Sequence, residues 1–420
     1  LAVSYGGTLR LFGKKGATYG ALAVDKPGTS WVRLVGTVQP TKTSGKRTLV
    51  VDTGVDWEKD DRIVLTTTDY LPGHSEELTI AAVAADKRTI TVVEDIQYRH
   101  QGEQYQLPSD MGRLKLGFSA VETRAAVALL TRSITIVSEG PTATPGGFAE
   151  APGTYFGGHT VVRQGVKAFE VQGVEFRQLG QGGRIGHYPV HFHMARTVPT
   201  NTYVKDSSVN ESMTRWMVLH ATSGVTFARN VGWKSIGPGF YIEDGSETNN
   251  RFQTNIGIHA RAAIDNAKVN PRKVPGILAA TRGGDASDNV PFYTDVDHPS
   301  VFWIMNGWND FEYNFAAGAG MCGACYWLVP GANSGHSRHM TFEGYASLQA
   351  NADLAKPLDR AAMTPLRKFV GNSCTSAMNS FNTIGNTTAC FGAGFEAPLV
   401  ASVPNPFHLP APCDQTNPKK

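Results

Sequence analysis

An all-β protein built around a parallel β-helix, with a smaller strand-rich region ahead of it, is the fold this sequence predicts. Three observations carry that reading. The first is composition: 45 glycines and 23 prolines punctuate 420 residues, which suits many short strands joined by turns and not a helical bundle. The second is a series of apolar segments that stack on one another: Val190-His-Phe-His193, Met217-Val-Leu-His220, Phe240-Tyr-Ile-Glu243 and Val301-Phe-Trp-Ile304. The third is a column of asparagines in step with them. Val225-Thr-Phe-Ala-Arg-Asn230, Arg251-Phe-Gln-Thr-Asn255 and Phe311-Glu-Tyr-Asn314 each end in Asn before an apolar residue, and Phe369-Val-Gly-Asn372 offers a fourth member.

The elements follow in order. Residues 21–140 read as a β-rich region of short strands such as Thr48-Leu-Val-Val51, Arg62-Ile-Val-Leu65 and Thr89-Ile-Thr-Val-Val93, dominated by β-branched residues and broken by Gly, Pro, Asp and Lys. Residues 141–400 read as the solenoid. His193, His220 and Glu243 stand 27 and 23 residues apart, the length of one coil, and a stacked Asn at each bend satisfies backbone groups while bonding to the next Asn. Asn255 to Asn314 is 59 residues, too long for a coil, so 260–298 is expected to leave the solenoid as an excursion. Residues 401–420 read as a tail.

Composition excludes several classes. A hydrophobic fraction of 41% supports a sizeable core and not general disorder. A net charge of +3 does not point to nucleic acid, and no apolar run approaches the roughly 20 residues of a membrane span. Nucleotide-binding, HExxH and GxSxG motifs are missing from usable contexts. Of five cysteines, Cys322-Gly-Ala-Cys325 reads as a structural disulfide or two buried thiols in preference to a metal or redox site. Asn210-Glu-Ser212 and Asn386-Thr-Thr388 are glycosylation sequons compatible with secretion. The chain opens at Leu1 without a signal peptide, which fits either a removed leader or an upstream segment.

Strand alternation places the chemistry. In Val190-His-Phe-His-Met194, His191 and His193 share one face. Phe192, Leu219 and Ile242 form an apolar column assigned to the interior, so His193, His220 and Glu243 form a column outside it. Rungs about 4.8 Å apart let these three side chains converge. Two imidazoles and a carboxylate are a recognised set for a divalent metal ion, zinc or another transition metal, with calcium also open. His191 is a fourth ligand or an assisting group. Glu243 and Asp244, with Glu247 beyond, equally suit metal-free acid–base chemistry on a sugar.

Residues 260–298 carry Lys268, Arg272, Lys273 and Arg282, expected as a lip that clamps an anionic polysaccharide. Trp303, on the next coil with Trp308, Tyr326 and Trp327, is a candidate platform for a sugar face.

The phrase Tyr188-Pro-Val-His-Phe-His-Met194 resembles the YPIHFH signature of the G8-domain and β-helix family that includes hyaluronan-binding cell-migration proteins, cell-surface hyaluronidases and fibrocystin. Val218-Leu-His-Ala-Thr-Ser-Gly-Val225, Phe240-Tyr-Ile-Glu-Asp-Gly-Ser-Glu247, Ser300-Val-Phe-Trp-Ile304 and Arg124-Ala-Ala-Val-Ala-Leu-Leu-Thr-Arg132 match further family phrases in order. Where the family has a histidine ahead of the second of these, this chain reads Gly237-Pro-Gly-Phe240. The resemblance runs over roughly residues 5–385. It implies a right-handed β-helix, a secreted or extracellular setting and residues 1–20 as the C-terminal tail of a G8-like domain. It further implies a glycosidase acting on hyaluronan or a related polyanionic glycan. On the reading of the residues, Glu243 or Asp244 is expected to supply the acid–base chemistry, and His191 to assist or bind. A polysaccharide lyase and a non-catalytic carbohydrate-binding or adhesion module are the alternatives.

Overall fold

The computed structural model describes residues 1–19, 28–108, 119–138, 157–182, 186–243, 245–261, 299–320, 323–328 and 366–383. Three parallel sheets run the length of a right-handed β-helix, with eight, seven and seven strands. The first sheet stacks Ala2–Val3, Thr160–Arg163, Val190–Thr197, Met217–Ser223, Phe240–Ile242, Ser300–Ile304, Ala324–Leu328 and Asn379–Thr383. The second runs from Thr8–Phe12 through Ala168–Gln172, Thr202–Lys205, Thr226–Ala228, Arg251–Gln253 and Asp310–Glu312 to Lys368–Val370. The third runs from Ile134–Val137 through Val174–Arg177, Ser208–Asn210, Val231–Ile236, Ile256–Arg261 and Phe315–Ala319 to Ser373–Thr375.

Each coil therefore contributes one strand to each sheet. Phe192 pairs with Leu219 and Leu219 with Ile242, all inside the solenoid. Phe240, Phe302 and Tyr326 stack beside them with ring centroids 4.8 and 4.9 Å apart.

The turn between the second and third sheets repeats one device. Arg229, Thr254 and Tyr313 take positive φ, and the asparagine that follows each faces inward. Asn230 Nδ2 donates to Asn255 Oδ1 at 3.0 Å, Asn255 to Asn314 at 3.0 Å and Asn314 to Asn372 at 2.9 Å. Each Oδ1 also accepts the backbone N–H of the asparagine one rung earlier, so one side chain closes a buried turn and locks the register. A second ladder, at the turn from the first sheet to the second, links Asn250 Nδ2 to Asn309 Oδ1 at 3.0 Å.

The domain layout differs from the sequence reading. Ala2–Val3 and Thr8–Phe12, set apart there as the tail of a preceding domain, are hydrogen-bonded to Thr160–Arg163 and Ala168–Gln172. Ile134–Val137 pairs with Val174–Arg177. These three strands form the first coil, and residues between 13 and 133 interrupt it. That segment contains a six-stranded antiparallel sheet with its own core around Trp57, Leu65 and Ile80. Its other face, Val64, Ala126, Ala128 and Leu130, packs on the outer face of the third sheet at Trp233, Ile258 and Ala317. Trp233 Nε1 donates to Glu77 and Trp31 Nε1 to the Thr254 carbonyl, both at 2.8 Å.

Cys325 of the first sheet is bonded to Cys374 of the third across the interior, with Cα atoms 5.8 Å apart. The sequence pointed to Cys322 as its neighbour in the motif; Cys322 lies outside the described residues. Asn210 is fully buried and donates to Glu175 at 3.3 Å, so that sequon is closed to a glycan.

Candidate functional site

On the outer face of the first sheet, His191 pairs in register with Val218, and His193 with His220. Both His193 and His220 sit at the end of regular pairing. Met194 and Ala221, the next residues, have φ of 49° and 44°, and the ladder shifts register between His193 and Arg196. Bulges of this kind re-aim side chains beside functional sites. Here they are aligned on two rungs. Glu247 holds the second one: its carboxylate accepts the N–H groups of Ala221 and Gly245, each at 2.8 Å. Glu247 is fully buried, and both of its carboxylate oxygens are used to hold this backbone.

Ring nitrogens of His191, His193 and His220 lie within 4.8 Å of one another. His193 Nδ1 and His220 Nδ1 are 3.2 Å apart. Glu243, at the end of the next strand, brings Oε2 to 3.9 Å from both His191 Nε2 and His220 Nδ1. His191 Nδ1 lies 2.8 Å from the Gly186 carbonyl, to which it must donate, so in the neutral ring Nε2 keeps its lone pair and faces the cluster. His191 Nε2 and Glu243 Oε2 are both buried, and neither has a hydrogen-bond partner among the described residues.

The cluster is set deeper than an outward strand position suggests. His191 is 1% exposed and Glu243 4%. Burial, reinforced by His193, holds His191 well below the usual imidazole range. Burial, then His220, then Arg163 lower His193 to about 4. These rings are neutral near physiological pH, the form that ligates metal.

One residue supports Glu243 that the sequence reading had not assigned. The Tyr188 hydroxyl donates to Glu243 Oε1 at 3.2 Å, and burial followed by the Glu243 charge raises its pKa and keeps it a donor. Arg215, itself buried, lies over the rings of Tyr241 and Tyr188, 4.0 and 5.4 Å from their centroids. Tyr188 opens the same phrase that supplies His191 and His193; its place one residue before Pro189 was the available signal.

The remaining candidates fare differently. Trp303 is 4% exposed and packed between Tyr241 and Trp327, with centroids 5.7 and 5.3 Å away, so it presents no open platform to a sugar. Asp244, Arg272, Lys273 and Arg282 lie outside the described residues, as does nearly all of 260–298.

Three imidazoles and a carboxylate suit a divalent ion chemically. Tetrahedral zinc with arms of about 2.0–2.1 Å separates its ligand atoms by roughly 3.4 Å; three pairs here stand at 3.2 and 3.9 Å, and the three histidine nitrogens all lie within 4.8 Å of one another. The orphaned His191 Nε2 and Glu243 Oε2 are the atoms such an ion would satisfy.

A parallel β-helix with a histidine–carboxylate cluster on its outer face is the class of protein these features define. The chain belongs to the CEMIP beta-helix family, which matches residues 155–381. It is similar to a G8 domain-containing protein of Dictyostelium discoideum, 30% identical over 316 residues, 73% of this chain and 24% of that one. The cell migration-inducing and hyaluronan-binding protein of Mus musculus is 27% identical over 304 residues, 67% of this chain and 20% of that protein. The cell surface hyaluronidase of Danio rerio is 28% identical over 336 residues, 75% of this chain and 21% of that protein. The chain thus spans less than a third of the length of the curated relatives it matches. No helix among the described residues is long and apolar enough to cross a membrane.

Proposed function

We propose that this β-helix is the catalytic part of an extracellular polysaccharide-degrading protein, a glycosidase acting on hyaluronan or a related anionic glycan. The observation that carries the reading is the pair of orphaned atoms, His191 Nε2 and Glu243 Oε2, facing each other across 3.9 Å beside two further imidazoles. A buried polar atom without a partner costs about 1–3 kcal/mol, a strain kept where a ligand or reaction uses it. The names of two relatives, a hyaluronidase and a hyaluronan-binding protein, favour a glycan as that ligand. The internal Cys325–Cys374 bond supports an oxidising, extracellular setting.

His191, His193, His220 and Glu243 would hold a divalent ion. When bound it supplies a Lewis acid that polarises a sugar oxygen or lowers the pKa of water. The chain's own groups do the rest. His191, fixed by the Gly186 carbonyl, offers one lone pair in a set direction. Tyr188 holds Glu243 so that Oε2, not Oε1, meets the reacting centre. His193 and His220, partly open to solvent, would complete the ligand set on the side from which a glycan approaches.

The test is size-exclusion analysis of hyaluronan and neutral polysaccharides after incubation, with and without chelator, with unsaturated-uronate absorbance read on the same samples. The expected result is shortened hyaluronan without that absorbance, lost with chelator and in His220→Ala. Retention on hyaluronan with no shortening, by a protein that binds zinc, would replace the enzyme with a binding module. Shortening accompanied by the absorbance would make it a lyase.

A further inference from the structure

The outward column that carries His193 and His220 does not begin with them. Arg163 pairs in register with His193, and His193 with His220. The column thus reads Arg163, His193, His220 and then Glu243, one residue per rung, with rungs about 4.8 Å apart. Arg163 is exposed. Its guanidinium makes no hydrogen bond, ion pair or ring contact among the described residues. The other arginines on the outside of the solenoid are engaged: Arg10 with Glu170, Arg229 with Asp206, Arg367 with Asp310.

We infer that Arg163 is the residue that selects an acidic sugar, binding a uronate carboxylate one to two rungs from the cluster. The glycan then lies along the solenoid axis, across the strands. This rests on the proposed glycan reading and adds to it a named anion contact and a direction. A guanidinium fits a carboxylate with two parallel N–H···O bonds. The distance from Arg163 to His220, two rungs or roughly 10 Å, lets a sugar held at its carboxylate place a neighbouring linkage over the histidines. An open guanidinium pays little desolvation before binding, so the contact is expected to be sensitive to salt.

The test is calorimetric titration of a hyaluronan oligosaccharide, and of the same oligosaccharide with its carboxylates reduced to alcohols. The proteins are wild type, Arg163→Gln and Arg163→Lys, each at low and high salt. A zinc titration of each variant reports whether the histidine cluster is intact. The expected result is a wild-type preference for the acidic form of about tenfold or more, the usual worth of a charge-assisted hydrogen-bonded contact. Arg163→Gln should abolish that preference with zinc binding retained, and Arg163→Lys should keep part of it. A preference that survives in Arg163→Gln, or wild type binding both forms alike, overturns the inference and leaves the glycan reading standing. Wild type binding neither form overturns both.

Discussion

Tyr188 and Glu243 lie on different coils, 55 residues apart in sequence, yet the phenol hydroxyl reaches Oε1 of the carboxylate at 3.2 Å inside a buried setting. That bond decides which carboxylate oxygen faces His191 and His220. Tyr188→Phe keeps the ring and its edge contact with His191 and removes only the hydroxyl. Zinc affinity is expected to fall by about 10–100-fold, as for other groups that orient a metal ligand. The thermal midpoint should stay close to wild type. Unchanged zinc affinity would remove Tyr188 from the site.

The asparagine ladder should be graded along its length. Asn255 donates to Phe227 and Asn314 and accepts twice from Asn230. Asn255→Ala leaves a buried backbone N–H and a buried carbonyl without partners, at about 2–4 kcal/mol. Asn372 is only partly buried and ends the described ladder, so Asn372→Ala should cost about 1 kcal/mol. Denaturant unfolding of the two variants compares them directly.

A methyl group at Gly232 would sit 2.3 Å from the ring of Trp216, which fills the space over Gly232, Gly239 and Gly257. Gly232→Ala should destabilise by about 1–3 kcal/mol through overpacking. In a Trp216→Leu background the same change should cost less, and the double-mutant cycle should be non-additive. Additive costs would show that the ring is not the obstacle.

Glu122 gives a pH dependence with a clear sign. Partial burial acts to raise its pKa, but hydrogen bonds from Arg124 and Gln104 prevail and lower it from 4.5 to about 2. A depressed carboxylate contributes stability that is fully present above the unfolded value and lost as pH falls through the folded one. The difference in unfolding free energy between wild type and Glu122→Gln should therefore hold above about pH 5 and shrink toward pH 2. A difference that grows on acidification would contradict the assignment.

The parts of the fold that repeat locally were legible in the sequence. Asn230, Asn255 and Asn314 announce themselves by the apolar residue that follows each. Asn250 and Asn309 do the same work at the other turn, but Arg251 and Asp310 follow them, so no apolar marker shows. Alternation placed His191, His193, His220 and Glu243 on one side because a period of two is a local property. It says nothing of depth, and this is why Trp303 read as a platform although it is packed between Tyr241 and Trp327. Arg163 was invisible for another reason. A basic cluster was the signal sought, and Arg163 stands alone at the end of Thr160–Arg163. The first coil was hidden because its strands at 8–12 and 134–137 are separated by the antiparallel segment.

That interruption has a consequence in time. During synthesis Thr8–Phe12 must wait for Ala168–Gln172, and Arg10 meets Glu170 only 160 residues later. At roughly 5–20 residues per second the delay is on the order of ten to thirty seconds. The antiparallel sheet pairs within that interval, since Ala126–Leu129 completes it. It emerges from the ribosome as a finished surface before any coil can close. Val64, Ala126, Ala128 and Leu130 are then a template on which the third sheet is laid down. Damage to this segment should therefore appear as poor yield of folded protein, with normal behaviour at the histidine cluster in whatever fraction survives.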